Sequence, residues 1–287
     1  MRDDSLPGIG FIGAGRAGGA LAHGLQSAGY RVCAIASRSD ASVQRLASAV
    51  GADASSAQGV ADVADLVFIT TPDDAIGVVA SAVAWRFGQR VVHASGALDL
   101  TPLAPALAVG AEIGSIHPVQ TLLGPGVDSL VDVTFGIEAT GSLRDALGEM
   151  VNRLGGHAID VPADARALYH AAAIMSCGYV TALLHDATTA WVRAGLDLDA
   201  GVRALTHMAS TTVANVRQAG FDAALTGPIT RGDQATVRAH VASIRRAAPG
   251  LLEGYAANGR RMALLASESG RADAAVWEAL FKEPSSS

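Results

Sequence analysis

The chain has 287 residues, half of them hydrophobic, and a net charge of −6 at pH 7, so it has room for two domains. Its arginines are scattered and form no basic stripe, which argues against a nucleic-acid-binding protein. Gly, His, Asp or Arg interrupts each apolar run before it reaches membrane-spanning length, and the N-terminal residues lack a signal-peptide pattern. Cys33 and Cys177 form no CxxC motif, which indicates reduced thiols. We therefore expect a cytoplasmic protein that binds neither membranes nor nucleic acid.

The first predicted elements are a strand, a glycine-rich turn and a helix. Apolar residues 9–12 predict a buried strand and residues 17–25 a helix, and Gly13, Gly15 and Gly18 between them have the spacing GxGxxG. In a dinucleotide-binding loop the first glycine allows a tight turn, the second lets a pyrophosphate approach the backbone, and the third lets the helix pack on the strand. The helix N-terminus then offers free N–H groups to the phosphates. The alternative is a glycine-rich turn in another kind of α/β protein.

The second predicted strand, residues 31–37, indicates which dinucleotide binds. An acid at its end would hold the ribose 2′-hydroxyl of NAD, but the chain has Ser37, Arg38 and Ser39 there, while Asp40 is predicted to cap the next helix. An arginine with two hydroxyl donors suits a 2′-phosphate, which predicts NADP(H). The alternative is a solvated loop arginine. The residues predicted to bind the cofactor are Gly13, Ala14, Gly15, Arg16, Ala17, Gly18, Ser37, Arg38, Ser39, Thr71, Pro72 and Ser95.

Strands and helices alternate to about residue 161, which predicts a doubly wound parallel Rossmann sheet of the α/β class. Further strands are predicted at 66–70, 90–93, 111–116, 133–138 and 157–161, and helices at 41–50, 75–85 (capped by Asp73 or Asp74) and 143–154. From Pro162 onward only helices are predicted, at 163–194, 198–219, 236–247 and 251–267. We predict an NADP-binding domain at 1–161 and an all-helical substrate and dimerisation domain at 162–287.

Three polar segments follow strands of the predicted sheet, at 71–74, 93–96 and 117–120, and ligands bind such sheets at the carboxyl ends of their strands. His93 either transfers a proton near neutral pH or bonds a neighbouring carbonyl as an ordinary strand-end residue. His117 precedes Pro118, which holds its backbone extended, and we favour it for proton transfer.

The helical half contributes further candidates. Tyr169 either donates a proton to a substrate carbonyl or imine or is an aromatic residue at the domain interface, and His170 beside it is a candidate for substrate binding. Arg231, in the segment LTGPITRGD, either binds a substrate carboxylate or belongs to a structural loop, and Asp233 is predicted to cap the next helix. The histidines at 185, 207 and 240 are interpreted as ordinary helix residues, and no pair of histidines has metal-ligand spacing.

The sequence contains one lysine, Lys282, in the C-terminal tail, whose residues 283–287 we expect to be disordered. Lysine is therefore not expected to act as general acid, Schiff base or phosphate anchor. Acid–base chemistry is expected instead from His, Tyr, Asp, Glu, Cys or a bound water.

Seven motifs together carry a family resemblance that covers nearly the whole chain. They are GFIGAGRAGG at 10–19, ASRS at 36–39, FITTPDDAI at 68–76, VVHASGAL at 91–98, SIHPVQTL at 115–122, YHAAA at 169–173 and LTGPITRGD at 225–233. With them the chain resembles the Rossmann-like proteins with a C-terminal domain of unknown function 2520, in the superfamily of 6-phosphogluconate dehydrogenase and pyrroline-5-carboxylate reductase. The resemblance implies an NADP-dependent oxidoreductase whose helical domain often builds a dimer, and it implies no substrate.

The chain departs from its relatives in the long helix that begins near residue 163. Gly178 stands where members of the family often carry asparagine, and the helix lacks the lysine of the related hydroxyacid dehydrogenases and ketopantoate reductases, with Ile174 one turn before Gly178. The leading hypothesis is an NADPH-dependent reductase of a small carbonyl or imine compound that bears a carboxylate. The alternatives are hydride exchange between NADP and a deazaflavin, and a non-enzymatic regulatory dimer that binds NADP(H).

Overall fold

The computed structural model describes residues 6–124, 129–139 and 141–282. The chain falls into two compact units, Met1–Cys177 and Gly178–Ser287. The division lies inside one long helix, whereas the sequence places the domain boundary after residue 161, which stays a prediction.

The first unit is built on one eight-stranded sheet with the order β3-β2-β1-β4-β5-β6-β7-β8. The strands are β1 Ile9–Ile12, β2 Val32–Ala36, β3 Asp53–Ala54, β4 Leu66–Ile69, β5 Arg90–His93, β6 Glu112–Pro118, β7 Thr134–Ala139 and β8 His157–Asp160. This sheet and the helical part that follows confirm the predicted fold class. The sheet is parallel as predicted except at one pair, because β7 runs antiparallel to β6. No helix lies between β6 and β7 in the described residues, and a parallel return needs such a crossover.

Helices cover both faces of this sheet. They are α1 Arg16–Ser27, α2 Asp40–Val50, α3 Ala57–Val63, α4 Asp73–Ala82, α5 Ala104–Ala108, α6 Gly141–Arg153 and the first part of α7 Arg166–Arg193. Alternate residues of β4 enter opposite cores: Phe68 stacks on Phe11 with ring centroids 5.1 Å apart, while Val67 and Ile69 belong to the core on the other face. This burial on both faces explains why the parallel strands read as continuous apolar runs.

Two predicted helix caps are wrong. Ser39, not Asp40, caps α2, because its hydroxyl accepts a hydrogen bond from the Ser42 amide at 3.4 Å. Helix α4 begins directly after Pro72 without a side-chain cap, so Asp73 and Asp74 lie within its first turn. There their carboxylates face the positive end of the helix dipole. The sequence analysis also missed β3, α3 and α5, which are short elements of two to seven residues.

The second unit contains only helices in its described residues, as predicted. After the remainder of α7 these are α8 Leu198–Ala224, α9 Gln234–Ala247, α10 Leu252–Glu268 and α11 Ala274–Lys282. Helix α8 is kinked at Gly220, whose φ of 82° is left-handed, which explains why the pattern ended at residue 219. Lys282 is the last residue of α11 and bonds Glu278 at 2.9 Å, so assigning it to a tail was wrong. Residues 283–287, expected to be disordered, lie outside the described residues.

The segment Ala163–Arg193 is long and apolar enough to cross a membrane by length and composition alone. The sequence analysis counted only uninterrupted apolar runs and did not identify it. No part of its most apolar window is buried. Only Arg166 of helix α7 is buried, and exposed apolar side chains recur along α7 and α8.

Candidate active site

The glycines of the first turn are required for different reasons. Gly13 has a φ of +126°, and a Cβ there would lie 2.6 Å from the Thr70 carbonyl. A Cβ on Gly18 would lie 2.3 Å from the Gly13 carbonyl oxygen, so the third glycine lets α1 approach the turn. Gly15, by contrast, precedes α1 with a φ of −81° and has open space where its Cβ would be. The fold itself does not require glycine at position 15, so its bare backbone suits a bound group.

The glycine turn forms one wall of a cleft of about 710 Å³ at the carboxyl ends of β1, β2 and β4. Seven of the twelve residues predicted to bind the cofactor line it: Gly13, Ala14, Gly15, Ser37, Arg38, Thr71 and Pro72. Three serines that the sequence did not indicate, Ser42, Ser55 and Ser56, line it as well. Of the other predicted residues, Arg16 and Ala17 open α1, Gly18 is buried, Ser39 caps α2, and Ser95 is buried in the loop after β5.

Two side chains in the cleft are suited to a ligand. Arg38 is exposed and makes no hydrogen bond or ion pair with any described residue. The Thr71 hydroxyl is buried and has no hydrogen-bond partner in the described part of the chain. A buried unpaired hydroxyl is costly, so a group that bonds it would relieve that cost. The end of β2 presents Ser37 and Arg38 to the cleft and no carboxylate.

A second cluster lies at the ends of the neighbouring strands and joins two of the predicted catalytic residues. His117 Nδ1 is 2.7 Å from the Tyr169 hydroxyl oxygen, and the His170 ring lies 6.0 Å from the His117 ring. Two glycines make room for these rings: a Cβ on Gly96 would lie 2.6 Å from His117, and one on Gly136 would lie 2.5 Å from the Tyr169 hydroxyl. The charge of Asp73, which follows the cleft residue Pro72 in the chain, raises the His117 pKa.

The pKa of His117 is lowered to about 4, chiefly by burial and to a smaller extent by the nearby charges of His170 and Arg166, whereas the charge of Asp73 raises it. Burial raises the pKa of Tyr169. Both side chains are therefore uncharged at neutral pH. In the tautomer with its hydrogen on Nε2, His117 accepts from the Tyr169 hydroxyl at Nδ1. Its Nε2 has no hydrogen-bond partner among the described residues and remains able to donate.

His93 is fully buried, and both of its ring nitrogens are used. Nε2 lies 2.9 Å from the Asp99 carbonyl oxygen, and Nδ1 accepts from the Ser95 amide at 3.2 Å. Burial lowers the pKa of His93 to about 4. The Ser95 hydroxyl likewise accepts from amides of its own loop, those of Ala97 and Leu98. Of the two interpretations of His93, this geometry favours the structural one, in which the ring anchors the loop after β5.

Arg166 is the residue of this region that the sequence analysis missed. It is 2 % exposed, and its Nε and Nη2 donate to the same Glu138 carboxylate oxygen at 3.0 and 2.6 Å. Nη2 also donates to the Ser115 hydroxyl at 2.7 Å, and Nη1 to the Ser95 carbonyl at 3.3 Å. The available signal was an arginine in the first turn of a mostly apolar helix, three residues before Tyr169.

The remaining residues singled out in the sequence belong to the second unit. Arg231 is exposed in the second unit, in the turn before α9, and its role in carboxylate binding stays a prediction. Asp233 caps α9 as predicted, accepting from the Thr236 amide at 3.1 Å. His240 bonds the Tyr255 hydroxyl at 2.8 Å. Within the described residues no three His, Cys, Asp or Glu side chains could together hold a metal ion.

Comparisons with known proteins agree with the motifs. Residues 8–94 match the family described as NADP oxidoreductase coenzyme F420-dependent, and residues 133–262 match a domain of unknown function, DUF2520. These matches confirm the resemblance stated from the motifs. No curated protein matches the chain.

Several solved structures share the fold. Protein TM1727 from Thermotoga maritima is 22 % identical with a TM-score of 0.71, covering 92 % of this chain and 100 % of its own. A 1-pyrroline-5-carboxylate reductase from Streptococcus pyogenes is 17 % identical with a TM-score of 0.63, covering 91 % and 98 %. An imine reductase from Myxococcus stipitatus, solved in complex with NADP⁺, is 17 % identical with a TM-score of 0.67, covering 96 % and 100 %. At these identities the likeness establishes the fold alone.

Proposed function

Because the chain joins a segment of the coenzyme F420-dependent NADP oxidoreductase family to a domain of unknown function 2520, we propose that it is an NADPH-dependent reductase. Its substrate is a small carbonyl or imine compound that bears a carboxylate. The observation that carries this proposal is the cleft in which the bare Gly15 backbone and the unpaired Arg38 occur together.

Different residues of the cleft bind different parts of the cofactor. The free N–H groups at the start of α1 bind the pyrophosphate beside Gly15. Arg38 and the hydroxyl of Ser37 bind the 2′-phosphate, since no carboxylate at the end of β2 repels it. Thr71 and Pro72 would also hold the cofactor, because both line the cleft and the unpaired Thr71 hydroxyl could bond a polar atom of the bound group. NADPH supplies the hydride.

We assign the proton to the pair His117 and Tyr169. Because the pKa of His117 is about 4, its ring is neutral at pH 7 and does not act as an imidazolium. Instead Nε2–H gives its proton to the substrate oxygen or nitrogen as the carbon is reduced, and the Tyr169 hydroxyl gives its proton to Nδ1 across the 2.7 Å bond. The charge of Arg166 offsets part of the cost that burial imposes on the resulting tyrosinate, which regains a proton from water.

Substrate recognition is assigned to two further residues. His170 lies beside the His117 ring and contacts the substrate from α7. Arg231 binds the substrate carboxylate as a bidentate partner, and this part of the proposal rests on its sequence context alone. His93 is left out because its ring nitrogens are already bonded.

The protein is proposed to act as a cytoplasmic homodimer. Helix α7 and helix α8 expose apolar side chains such as Leu168, Tyr179, Met208 and Val213, each more than half exposed. Monomeric soluble proteins rarely leave so much apolar surface open, and a second copy is the partner that we propose covers it. Light scattering coupled to gel filtration tests this: a monomer that partitions into detergent or lipid would contradict it and favour a membrane role for the apolar segment that includes α7.

The central test is a titration with NADPH and with NADH, followed by nicotinamide fluorescence. We expect NADPH to bind more tightly, and we expect Arg38→Asp to weaken NADPH binding by about 10- to 100-fold, as the loss of a charge-assisted bond implies. Arg45→Asp, an equal change of charge on the exposed side of α2 outside the cleft, is the matched control and should bind like the wild type. Equal binding of both nucleotides, or none, would contradict the proposal.

A second candidate function is hydride exchange between NADP and a deazaflavin, which the family match of residues 8–94 favours. It needs no protein acid. Bleaching of an added deazaflavin by NADPH, undiminished in a His117→Asn variant, would select it over the reductase. Tight NADPH binding without turnover of a carbonyl and imine panel or of deazaflavin would select a regulatory dimer instead.

A further inference from the structure

The first turn of α7 crosses the only antiparallel strand pair of the described sheet. On β6 and β7 the residues Ser115 and Glu138 face each other, and two residues further His117 faces Gly136. Because side chains alternate along a strand, both pairs lie on the same face. The guanidinium of Arg166 bonds the first pair, contacting both Ser115 and Glu138.

Tyr169 makes the corresponding contact with the second pair. Its hydroxyl bonds His117 and fits against Gly136, where a Cβ would lie only 2.5 Å away. Arg166 and Tyr169 are three residues apart, so they lie on the same side of α7 one turn from each other. One helical turn thus meets two successive cross-strand pairs with two side chains.

We propose that Arg166 is a positioning residue for the proton-transferring pair: its bonds to Glu138 and Ser115 fix α7 on the sheet so that the Tyr169 hydroxyl reaches His117 Nδ1. This inference deepens the proposed function and rests on it for its catalytic meaning. Arg166 does not itself touch the substrate.

The identity of the residue follows from its partners. A carboxylate, a hydroxyl and a backbone carbonyl surround the guanidinium, and its planar fork of five donors meets all three. A lysine ammonium carries the same charge but cannot span partners on β7, on β6 and in the loop after β5. A buried ion pair also gains little stability by itself, because desolvation offsets its attraction. The ion pair of Arg166 and Glu138 is therefore better explained by the position in which it holds α7 on the sheet.

The bond of Arg166 to the Ser95 carbonyl also helps to hold the loop on the other side of His117. Arg166 Nη1 bonds the Ser95 carbonyl, and the next residue, Gly96, packs so closely on the His117 ring that a Cβ would lie 2.6 Å from it. The loop that confines the histidine and the helix that carries its partner are therefore held by one side chain.

The test measures the protonation and hydrogen bonding of the His117 ring by NMR, so it needs no substrate. Histidine labelled with ¹³C and ¹⁵N reports the Nδ1 shift and the titration of His117 by NMR, with His117→Asn for assignment and Tyr169→Phe to give the unbonded Nδ1 shift. The charged or titratable groups that face this ring are Tyr169, His170 and Arg166 from α7 and Asp73 from α4.

We expect Arg166→Lys, which keeps the charge, to move the Nδ1 shift to that of Tyr169→Phe, and to raise the His117 pKa because the hydrogen bond that favours the neutral ring is lost. Arg90→Lys is the matched control, because Arg90 pairs with Glu112 on β5 and β6 of the same sheet at 3.0 Å. It should leave His117 unchanged. If Arg166→Lys and Arg166→Gln both keep the wild-type signals, Arg166 serves stability only and the proposal is overturned.

A second variant covers the case in which a lone substitution prevents folding by leaving Glu138 unpaired. Arg166→Met with Glu138→Gln removes both charges, and such replacements of buried pairs commonly still fold. We expect a folded protein whose His117 signals match Tyr169→Phe, and retention of the wild-type signals would overturn the proposal. NADPH titration of the same variants should equal the wild type. Failure of the wild type to bind NADPH would refute the proposed function and leave the histidine result intact.

Discussion

The two units of this chain use apolar residues differently. The first places one apolar core on each face of its sheet, so nearly every large apolar side chain of the central strands is fully buried. The second has a core of six buried residues, Ile229, Val237, Val241, Ala263, Trp277 and Leu280, while its long helices expose apolar side chains. The comparison teaches that apolar residues are buried in two cores in the first unit, whereas those on the long helices of the second unit form an exposed surface of the kind found at interaction sites.

The largest expected effect compares the same substitution in both units. Phe68→Ala removes a fully buried ring that stacks on Phe11 and should lower the free energy of unfolding by about 3–5 kcal/mol. Phe221→Ala removes a ring that is 74 % exposed and should cost under about 0.5 kcal/mol at concentrations where the protein is monomeric.

Urea unfolding followed by circular dichroism measures both, at several protein concentrations. A cost of Phe221→Ala that grows with concentration would show that a second copy covers this residue. An equal cost for both variants in dilute solution would contradict the comparison.

The next effect is a pH dependence that arises in the first unit. The folded pKa of His93 is about 4, below the unfolded value of 6.5, so the unfolded chain binds the proton first as pH falls. Neutral His93 therefore contributes to the free energy of unfolding fully above pH 6.5, and this stabilisation is lost as the pH falls from 6.5 to 4. It amounts to roughly 3 kcal/mol for His93 and less for His117, which solvent partly reaches.

Unfolding free energies measured from pH 7 to pH 4 test this dependence. His93→Gln should flatten the curve, even though it lowers stability at pH 7 by disturbing the bonds to Asp99 and Ser95. His207→Gln, on the exposed surface of α8, is the control and should leave the curve as in the wild type. A curve of unchanged steepness in His93→Gln would refute the assignment.

The smallest effect on stability separates two glycines of one turn. Gly15→Ala adds a methyl group to open space in an ordinary backbone conformation and should change stability by no more than about 0.5 kcal/mol. It should nevertheless weaken NADPH binding by at least about tenfold, because the methyl group occupies the path of the pyrophosphate. Gly13→Ala is the contrasting variant, since its left-handed φ and the nearby Thr70 carbonyl make it destabilising.

Calorimetry and the fluorescence titration together test this pair. Unaltered NADPH affinity in Gly15→Ala would remove the main support for the cleft as a cofactor site.

Much of the first unit could be predicted because its signals are local. The run of residues 9–12, the glycine turn and the following helix are adjacent in sequence, and Arg38 lies two residues after the end of β2. The antiparallel direction of β7 could not be predicted, because the apolar pattern of residues 134–139 is the same for a parallel and an antiparallel strand. Helix α11 was also missed, because a helix of nine residues gives only a short periodic pattern.

The candidate site was predicted only in part. His117 and Tyr169 were both named, but their contact joins residues 52 positions apart, which no local pattern reveals. Arg166 was missed because its partners lie 28, 51 and 71 residues away. The two interpretations of His93 stayed open because only the backbone direction at Asp99 decides between them.

The single lysine has a practical consequence. Reagents that acylate primary amines would find one side chain in the whole chain, Lys282, which is 70 % exposed at the end of α11. A dye, a biotin or a solid support coupled through it would mark one defined place besides the chain's amino terminus. The label would lie on the second unit, while the cleft residues belong to the first.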